Sequence, residues 1–450
     1  MRDLAFIFFL IAIFGFGFKR PFVFVLAYVY VDIVSPQRLT YLLLNSIPIS
    51  LVAVGLAVGG WLIADKKRGV TLGPRQLLIL LLILYCYLTT QTADFPVEAA
   101  DKWQWVWKSL AFAVFLPLTL RSKLRIEALL LFLVLSVSSI VIVGGIKTVA
   151  SGGGYGELNL MVSNNSGLYE GSIISAVAVS IVPIVWWFAK FGTIFVPDRR
   201  VTIFCLALIF ACLLIPVGTS ARTGLLCIGL LVLLMLRDVK QRGRYIALLV
   251  AAGLVAVPFL PSAFSERMST IKTYQADSSA STRIAVWQWT LDYVADHPFG
   301  GGFNAYLQNA IRYETVQEVS DGSHTEMKRV LIVDKARAYH SSYFEMLGEQ
   351  GYPGLVLWLA INLIGLARME LLRRRHRDDV EEPWISPLAG ALQNAQLIYL
   401  LGAAFVGIAF QPFLFMLLGA QIGLDGWATR RHTAAGRQLI TRKPRVALAG

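Results

Sequence analysis

The chain has 450 residues, of which 56% are hydrophobic and only 15% charged, and its mean hydropathy is +0.63. Soluble domains are about 45–50% apolar and about 25% charged, so this composition excludes a string of soluble domains. The formal net charge is +13. Its basic residues stand in short runs between apolar segments, which is typical of cytoplasmic loops and argues against a nucleic-acid-binding surface.

The apolar segments predict the transmembrane helices in chain order. The first two runs, 4–18 and 21–35, are short and are separated by Lys19-Arg20-Pro21, so they form either two tilted helices or one broken helix. A helix that spans a bilayer needs about 20 apolar residues. The further stretches that approach this length are 41–64, 76–92, 103–120, 126–148, 168–190, 201–217, 223–236, 245–260, 351–370, 388–404 and 405–424. We therefore predict an all-α polytopic membrane protein with about 12–13 transmembrane helices.

The basic residues predict the orientation of these helices. Lys and Arg concentrate in alternate loops and in the tail, whereas the loops between them, such as 93–101, are poor in basic residues. Because basic loops stay in the cytoplasm, we expect them and the C-terminus to be cytoplasmic. The same alternation places 261–340 outside the cytoplasm and leaves the N-terminus unassigned.

The segment 261–340 is the one long stretch with the composition of a soluble region. A loop of this length in a compact protein is usually functional or disordered. Ile284, Trp287, Leu291 and Val294 recur at helical spacing, which predicts an amphipathic helix on the membrane or against the bundle.

His340 is the histidine whose position most favours chemistry. It precedes Ser342-Tyr343-Phe344-Glu345, which has capping-box spacing, so we expect it beside the N-terminus of a helix at the outer surface. Such a helix end attracts anions, and a histidine there can act as a base near neutral pH. The alternative is a histidine with a structural hydrogen bond.

Two arginines and a second histidine are the other candidates. Arg222 lies at the outer end of the pair 201–217 and 223–236, where topology disfavours positive charge; the alternative is snorkelling to lipid headgroups. Arg283 begins the amphipathic helix, and the alternative is a solvated surface charge. His297 precedes Pro298 and a glycine run, which predicts a helix end followed by a turn. No pair of acids or histidines has ligand spacing, so we expect no metal ion and no other cofactor.

The order of these residues resembles that of the O-antigen ligase and polymerase family. The resemblance covers about 200–370, and 1–190 resembles the N-terminal region of one branch, the O-glycosylation ligases associated with exosortase A systems. It is carried by Ser220-Ala221-Arg222-Thr223-Gly224, Arg283, His297-Pro298-Phe299-Gly300-Gly301-Gly302-Phe303, His340-Ser341-Ser342-Tyr343 and Glu349-Gln350-Gly351-Tyr352-Pro353-Gly354.

This resemblance implies a glycosyltransferase of the bacterial inner membrane with a periplasmic catalytic loop. The donor would be an undecaprenyl-pyrophosphate-linked glycan, and the acceptor a hydroxyl on a glycan, a lipid or a protein. Arg222 and Arg283 would bind the pyrophosphate, and His340 would assist the acceptor hydroxyl. His297, Tyr343 and Glu349 would support the site.

The implied organisation has three parts: an N-terminal transmembrane region over 1–195, a catalytic region over 196–375 that includes loop 261–340, and C-terminal helices with a basic tail over 376–450. Three other functions remain open. The first is a polymerase of exopolysaccharide or O-antigen. The second is a transporter of lipid-linked glycan, although no inverted repeat is evident. The third is a structural membrane component without catalysis.

Overall fold

The computed structural model describes residues 2–40, 44, 46–67, 71–150, 168–237, 241–244, 247, 251, 278–320 and 325–441. Its helices are α1 Arg2–Lys19, α2 Phe22–Val34, α3 Pro36–Leu39, α4 Ile49–Ala64, α5 Pro74–Gln91, α6 Pro96–Thr119, α7 Lys123–Ala150, α8 Gly171–Phe191, α9 Arg199–Gly218, α10 Arg222–Leu236, α11 Ser278–Asp296, α12 Ser342–Arg375, α13 Ile385–Ala403 and α14 Pro412–Thr441. The predicted span 245–260 lies almost wholly outside these residues, as do 261–277 of the predicted loop.

The helices confirm the predicted class of an all-α polytopic membrane protein. Four of the described helices, α7, α8, α9 and α12, are long and apolar enough to cross a bilayer, and α2, α4 and α10 are shorter apolar helices. The count of about 12–13 spans stays a prediction.

The outer loop contains the predicted helix and also a hairpin that we did not predict. Helix α11 covers the periodic residues from Ile284 to Val294, but Ile284 and Leu291 are exposed, and the helix packs through Val286, Tyr293 and Val294. It is followed by two antiparallel strands, β1 Ala310–Ser320 and β2 Thr325–Lys335, whose register runs from Ala310↔Lys335 to Ser320↔Thr325. The sequence carried the signal, because Asp321-Gly322 divides two runs rich in β-branched residues.

Helix α8 is the centre of the bundle. It is buried along nearly its whole length and packs against α7, α9, α10 and α13. Small residues permit the close approach: a Cβ added at Gly402 of α13 would lie 2.6 Å from the Cβ of Ala176 in α8. This packing fixes the ends of α10 and α13 relative to α8.

One end of the bundle gathers the segments that carry the candidate residues, and we call it the loop face. It contains the α5–α6 connection, since Asp94 N donates to Gly301 O at 2.9 Å. It contains the starts of α12 and α14, since Ile408 N donates to Ser342 Oγ at 2.8 Å. It also contains the starts of α8 and α10, because Tyr343 of α12 donates to Leu400 O near the end of α13, and the neighbouring Gly402 packs against Ala176 of α8 and Cys227 of α10.

Candidate functional site

Arg222 is the first residue of α10 and is placed by a strained turn. Ser220 has a φ of 50°, in the left-handed region that is costly for a residue with a Cβ. Ala221 is extended, and its N–H donates to Pro216 O at 3.0 Å. Gly224, one turn into the helix, packs against Pro216 and Ser175. Arg222 therefore follows a rigid turn at the loop face, and its side chain is half-buried.

His340 also has a left-handed backbone, with a φ of 47°. The residue before it, Tyr339, is buried, and its carbonyl accepts a hydrogen bond from Trp287 Nε1 of α11 at 2.8 Å. Trp287 also stacks on Phe344 in the first turn of α12, with ring centroids 4.9 Å apart. These contacts fix His340 between α11 and α12, with part of its surface exposed at the loop face and the imidazole partly buried.

Asn309 holds the segment that leads to His340 at the base of the hairpin. It is buried, its Oδ1 accepts from Arg337 N at 2.9 Å, and its Nδ2 donates to Arg337 O at 2.7 Å. Ala336 N donates to Asn309 O at 3.0 Å. A single amide side chain thus positions the approach to His340.

The charges around His340 favour its neutral form. Partial burial, followed by the positive charge of Arg283, lowers the pKa of its imidazole from the ordinary value. Arg337 adds to this lowering of the pKa, and Glu170, at the N-cap of α8, opposes it. Arg283 and His340, 57 positions apart by their numbers, are therefore electrostatic neighbours. Glu170 interacts with His340, and the next residue, Gly171, packs on Thr219 in the turn before Arg222. The start of α8 therefore links the Arg283–His340 pair to Arg222.

The predicted capping box at the start of α12 is wrong, although the helix does begin at Ser342. The N-cap is Ser341, which makes no side-chain capping bond. Ser342 Oγ instead donates to Val406 O at 2.9 Å and accepts from Ile408 N at 2.8 Å. Glu345 is directed to the bundle interior. Tertiary partners buried at the loop face take the place of the local cap.

The two glycine motifs, 300–302 and 348–351, pack directly against each other. Gly351 has a φ of 63° and kinks α12, and Gly300 and Gly302 have φ values of 78° and 77°. Gly301 N donates to Gly348 O at 3.1 Å and Gly302 N to Glu349 O at 2.9 Å, which satisfies carbonyls near the kink. A Cβ at Gly351 would lie 2.3 Å from Pro298 O. The glycine motifs therefore hold the segment after α11 against the kink of α12.

A buried cluster that the sequence analysis missed lies beside this contact between the glycine motifs. Lys102 Nζ donates to Glu345 Oε1 at 2.7 Å and to both carboxylate oxygens of Glu349 at 2.8 Å. Glu349 is fully buried and also accepts from Asn304 N at 3.0 Å. Glu345 Oε2 accepts from Ala409 N at 3.1 Å. The signal available in the sequence was a lone lysine at the outer end of the span 103–120, where topology disfavours basic residues.

The remaining predicted residues occupy different places. His297 follows the last turn of α11, is exposed, and stacks on Tyr293 with ring centroids 4.4 Å apart. It is 14 residues from Arg283, or about 21 Å along the helix, so it does not join the Arg283–His340 pair. Tyr343 OH donates to Leu400 O at 3.1 Å and ties α12 to α13. Glu349 belongs to the Lys102 cluster.

Comparison with known proteins identifies two family models along the chain. Residues 206–359 match the family described as O-Antigen ligase, and this range contains Arg222, Arg283 and His340. Residues 1–193 match a family of unknown function, DUF5935. No curated protein matches the chain. The O-antigen ligase domain supports a glycosyl-transfer role as a glycan ligase or polymerase, with a lipid-linked glycan as substrate, in a membrane.

Proposed function

We propose that this protein transfers a saccharide from an undecaprenyl-pyrophosphate-linked donor to a hydroxyl acceptor on a glycan, a lipid or a protein. The reaction takes place at the loop face, on the periplasmic side of the bacterial inner membrane. The protein would belong to the branch of O-glycosylation ligases associated with exosortase A systems. The observation that supports the proposal is that burial and the charge of Arg283 lower the pKa of the His340 imidazole, within the range that matches the O-antigen ligase family.

The chemistry needs charge stabilisation and a base, and the candidate residues supply both. The acceptor oxygen attacks the anomeric carbon while the bond from that carbon to the pyrophosphate oxygen breaks, so the anomeric centre inverts. The planar forks of Arg222 and Arg283 bind the departing pyrophosphate oxygens. Neutral His340 accepts the proton of the acceptor hydroxyl. In this mechanism no step uses a metal ion or another cofactor.

The proposal predicts that lysine cannot replace either arginine. Arg222→Lys and Arg283→Lys keep the charge but lose the bidentate fork, so transfer should fall about 10-fold or more, the effect of losing one charge-assisted hydrogen bond of roughly 1.5–3 kcal/mol. The measurement is the transfer rate of purified variants in detergent. Arg312→Lys, at an exposed position in strand β1, is the matched control. Wild-type rates in both site variants would remove the arginines from the pyrophosphate site.

The pH dependence of transfer should report His340. Activity should fall as the pH drops through the lowered pKa of the imidazole, below the ordinary histidine value of about 6.5, because the protonated ring is not a base. Arg337→Gln removes a charge that lowers this pKa, so the acidic limb should move to higher pH. Glu170→Gln removes a charge that raises it, so the limb should move to lower pH. Identical pH profiles in both variants would mean that another group titrates.

The orientation has its own test. Single cysteines at Lys335 of the hairpin and at Asp378 after α12 should react oppositely with a membrane-impermeant maleimide in cells with a permeabilised outer membrane. The first should be labelled and the second shielded. The four native cysteines are buried, so they should react little with the maleimide. The reverse labelling would place the loop face in the cytoplasm and exclude a periplasmic reaction.

A deletion strain tests the function and separates the ligase from the polymerase. Loss of glycan from lipid, free polysaccharide or periplasmic protein, with accumulation of complete lipid-linked glycan, identifies a ligase and its acceptor. Accumulation of single lipid-linked repeat units identifies a polymerase. Unchanged glycans in all three fractions, at normal lipid-linked donor levels, would overturn both.

A further inference from the structure

A cavity of about 290 Å³ lies at the end of the bundle opposite to the loop face. Its walls are the start of α5, the end of α6 and the middle of α14, where Ile422 and Arg430 line it. Helices α5 and α6 meet at the loop face through Asp94, so the start of α5 and the end of α6 lie on the far side of the bundle. The cavity is at the small end of the range for ligand sites, which suits a headgroup-sized molecule.

Arg75, in the first turn of α5, is one of the residues that line this cavity. Its side chain is 6% exposed, and Nη2 donates to Gln421 Oε1 at 2.9 Å. Nε and Nη1 are buried and have no hydrogen-bond partner among the described residues. Buried guanidinium donors are costly to leave unpaired, so this site favours a ligand that accepts hydrogen bonds and carries negative charge.

The wall charges point to the same ligand. Arg121 and Arg430 also line the cavity, and the one lining carboxylate among the described residues is Asp425. The two oxygens of Asp425 accept from Arg368 Nε and Nη2 at 3.0 and 2.9 Å, and its charge also acts on Arg75, so one carboxylate is shared between two arginines. The lining arginines come from three separate segments, and two of them also bind the backbone: Arg121 Nη1 donates to Lys66 O and Arg430 Nη2 donates to Leu120 O at 3.2 Å. The start of α5 adds a helix N-terminus.

We propose that this cavity binds a phosphate group, supplied either by the headgroup of an anionic phospholipid or by a soluble phosphate compound. The planar donors of Arg75, Arg121 and Arg430 would hold the phosphate oxygens, and Thr429 at the rim would add a hydroxyl. Basic pockets between transmembrane helices bind lipid headgroups in this way. The site is separate from the proposed transfer site and does not depend on that reaction.

The test uses the full-length protein purified in a neutral detergent. In one arm, phosphatidylglycerol is added and bound lipid is counted by native mass spectrometry. In the other arm, inorganic phosphate and pyrophosphate are titrated by calorimetry. Arg75→Gln and Arg430→Gln should weaken binding about tenfold or more, the loss expected for one charge-assisted hydrogen bond. Arg377→Gln, an exposed arginine after α12, removes the same charge outside the cavity and should bind like the wild type.

The outcomes separate the two sources of phosphate. A retained lipid that both cavity variants lose identifies a phospholipid headgroup, whereas a heat of phosphate binding lost in the same variants identifies a soluble ligand. Arg430 is exposed at the rim, so its variant keeps the test valid if Arg75→Gln does not fold. Absence of binding in both arms, or equal binding by Arg430→Gln and Arg377→Gln, would overturn the proposal.

Discussion

Replacing His340 with alanine is expected to lower the turnover of saccharide transfer about 10²–10⁴-fold, the usual contribution of a general base. Donor affinity should change little, because the proposed pyrophosphate ligands are the arginines. The physical basis is the position of the imidazole at the start of α12, neutral and beside Arg283. The measurements are donor binding and single-turnover transfer in the same preparation.

Two comparisons make this result specific. Added imidazole should partly restore transfer to His340→Ala, which a structural role would not produce. Lys335→Ala, an exposed change on the same segment, should leave both quantities near the wild type. If His340→Ala loses donor binding in proportion to turnover, the histidine is part of the pyrophosphate site, and the base must be sought among acids such as Glu345 and Glu349.

Replacing Lys102 with methionine is expected to destabilise the protein by about 3–5 kcal/mol, the usual cost of leaving a buried charge without its partner. Glu345 and Glu349 would then share one buried site without a cation, and one of them would have to take up a proton. The effect should appear in the free energy of unfolding measured by detergent titration.

A combined variant distinguishes the ion cluster from simple packing. Lys102→Met with Glu345→Gln and Glu349→Gln removes all three charges at similar volume and should recover most of the lost stability. Transfer by the folded fraction should persist, because the cluster holds α6 against α12 and is not part of the proposed substrate site. If the combined variant is less stable than Lys102→Met, the destabilisation comes from packing and not from unpaired charge.

The sequence was informative where a pattern is local. The presence of helix α11 followed from spacing alone, although it packs through Val286 and Tyr293 rather than through Ile284 and Leu291. A helix start near Ser342 was also expected, although for the wrong local reason. The hairpin β1–β2 was not predicted, although its turn signal, Asp321-Gly322, is local in the sequence. The division at residues 195 and 375 stays a prediction.

The long-range contacts could not be read from one sequence. Lys102 lies 243 positions from Glu345, and no local pattern links a lysine at a helix start to two acids on a distant helix. The glycine motifs looked like turns, whereas their positive φ angles serve a kink in α12. The capping box failed for the same reason, since Ser342 and Glu345 take partners that only the packed bundle brings near them.

The most direct test of the proposed mechanism is transfer by the purified protein with synthetic undecaprenyl-pyrophosphate-linked saccharide and a hydroxyl acceptor in excess EDTA. We expect free undecaprenyl pyrophosphate and an inverted glycosidic product to appear in equal amounts, and His340→Ala to form both far more slowly. If intact donor persists with every acceptor identified in the deletion strain, or if magnesium or manganese must be restored for transfer, the arginine and histidine mechanism is contradicted.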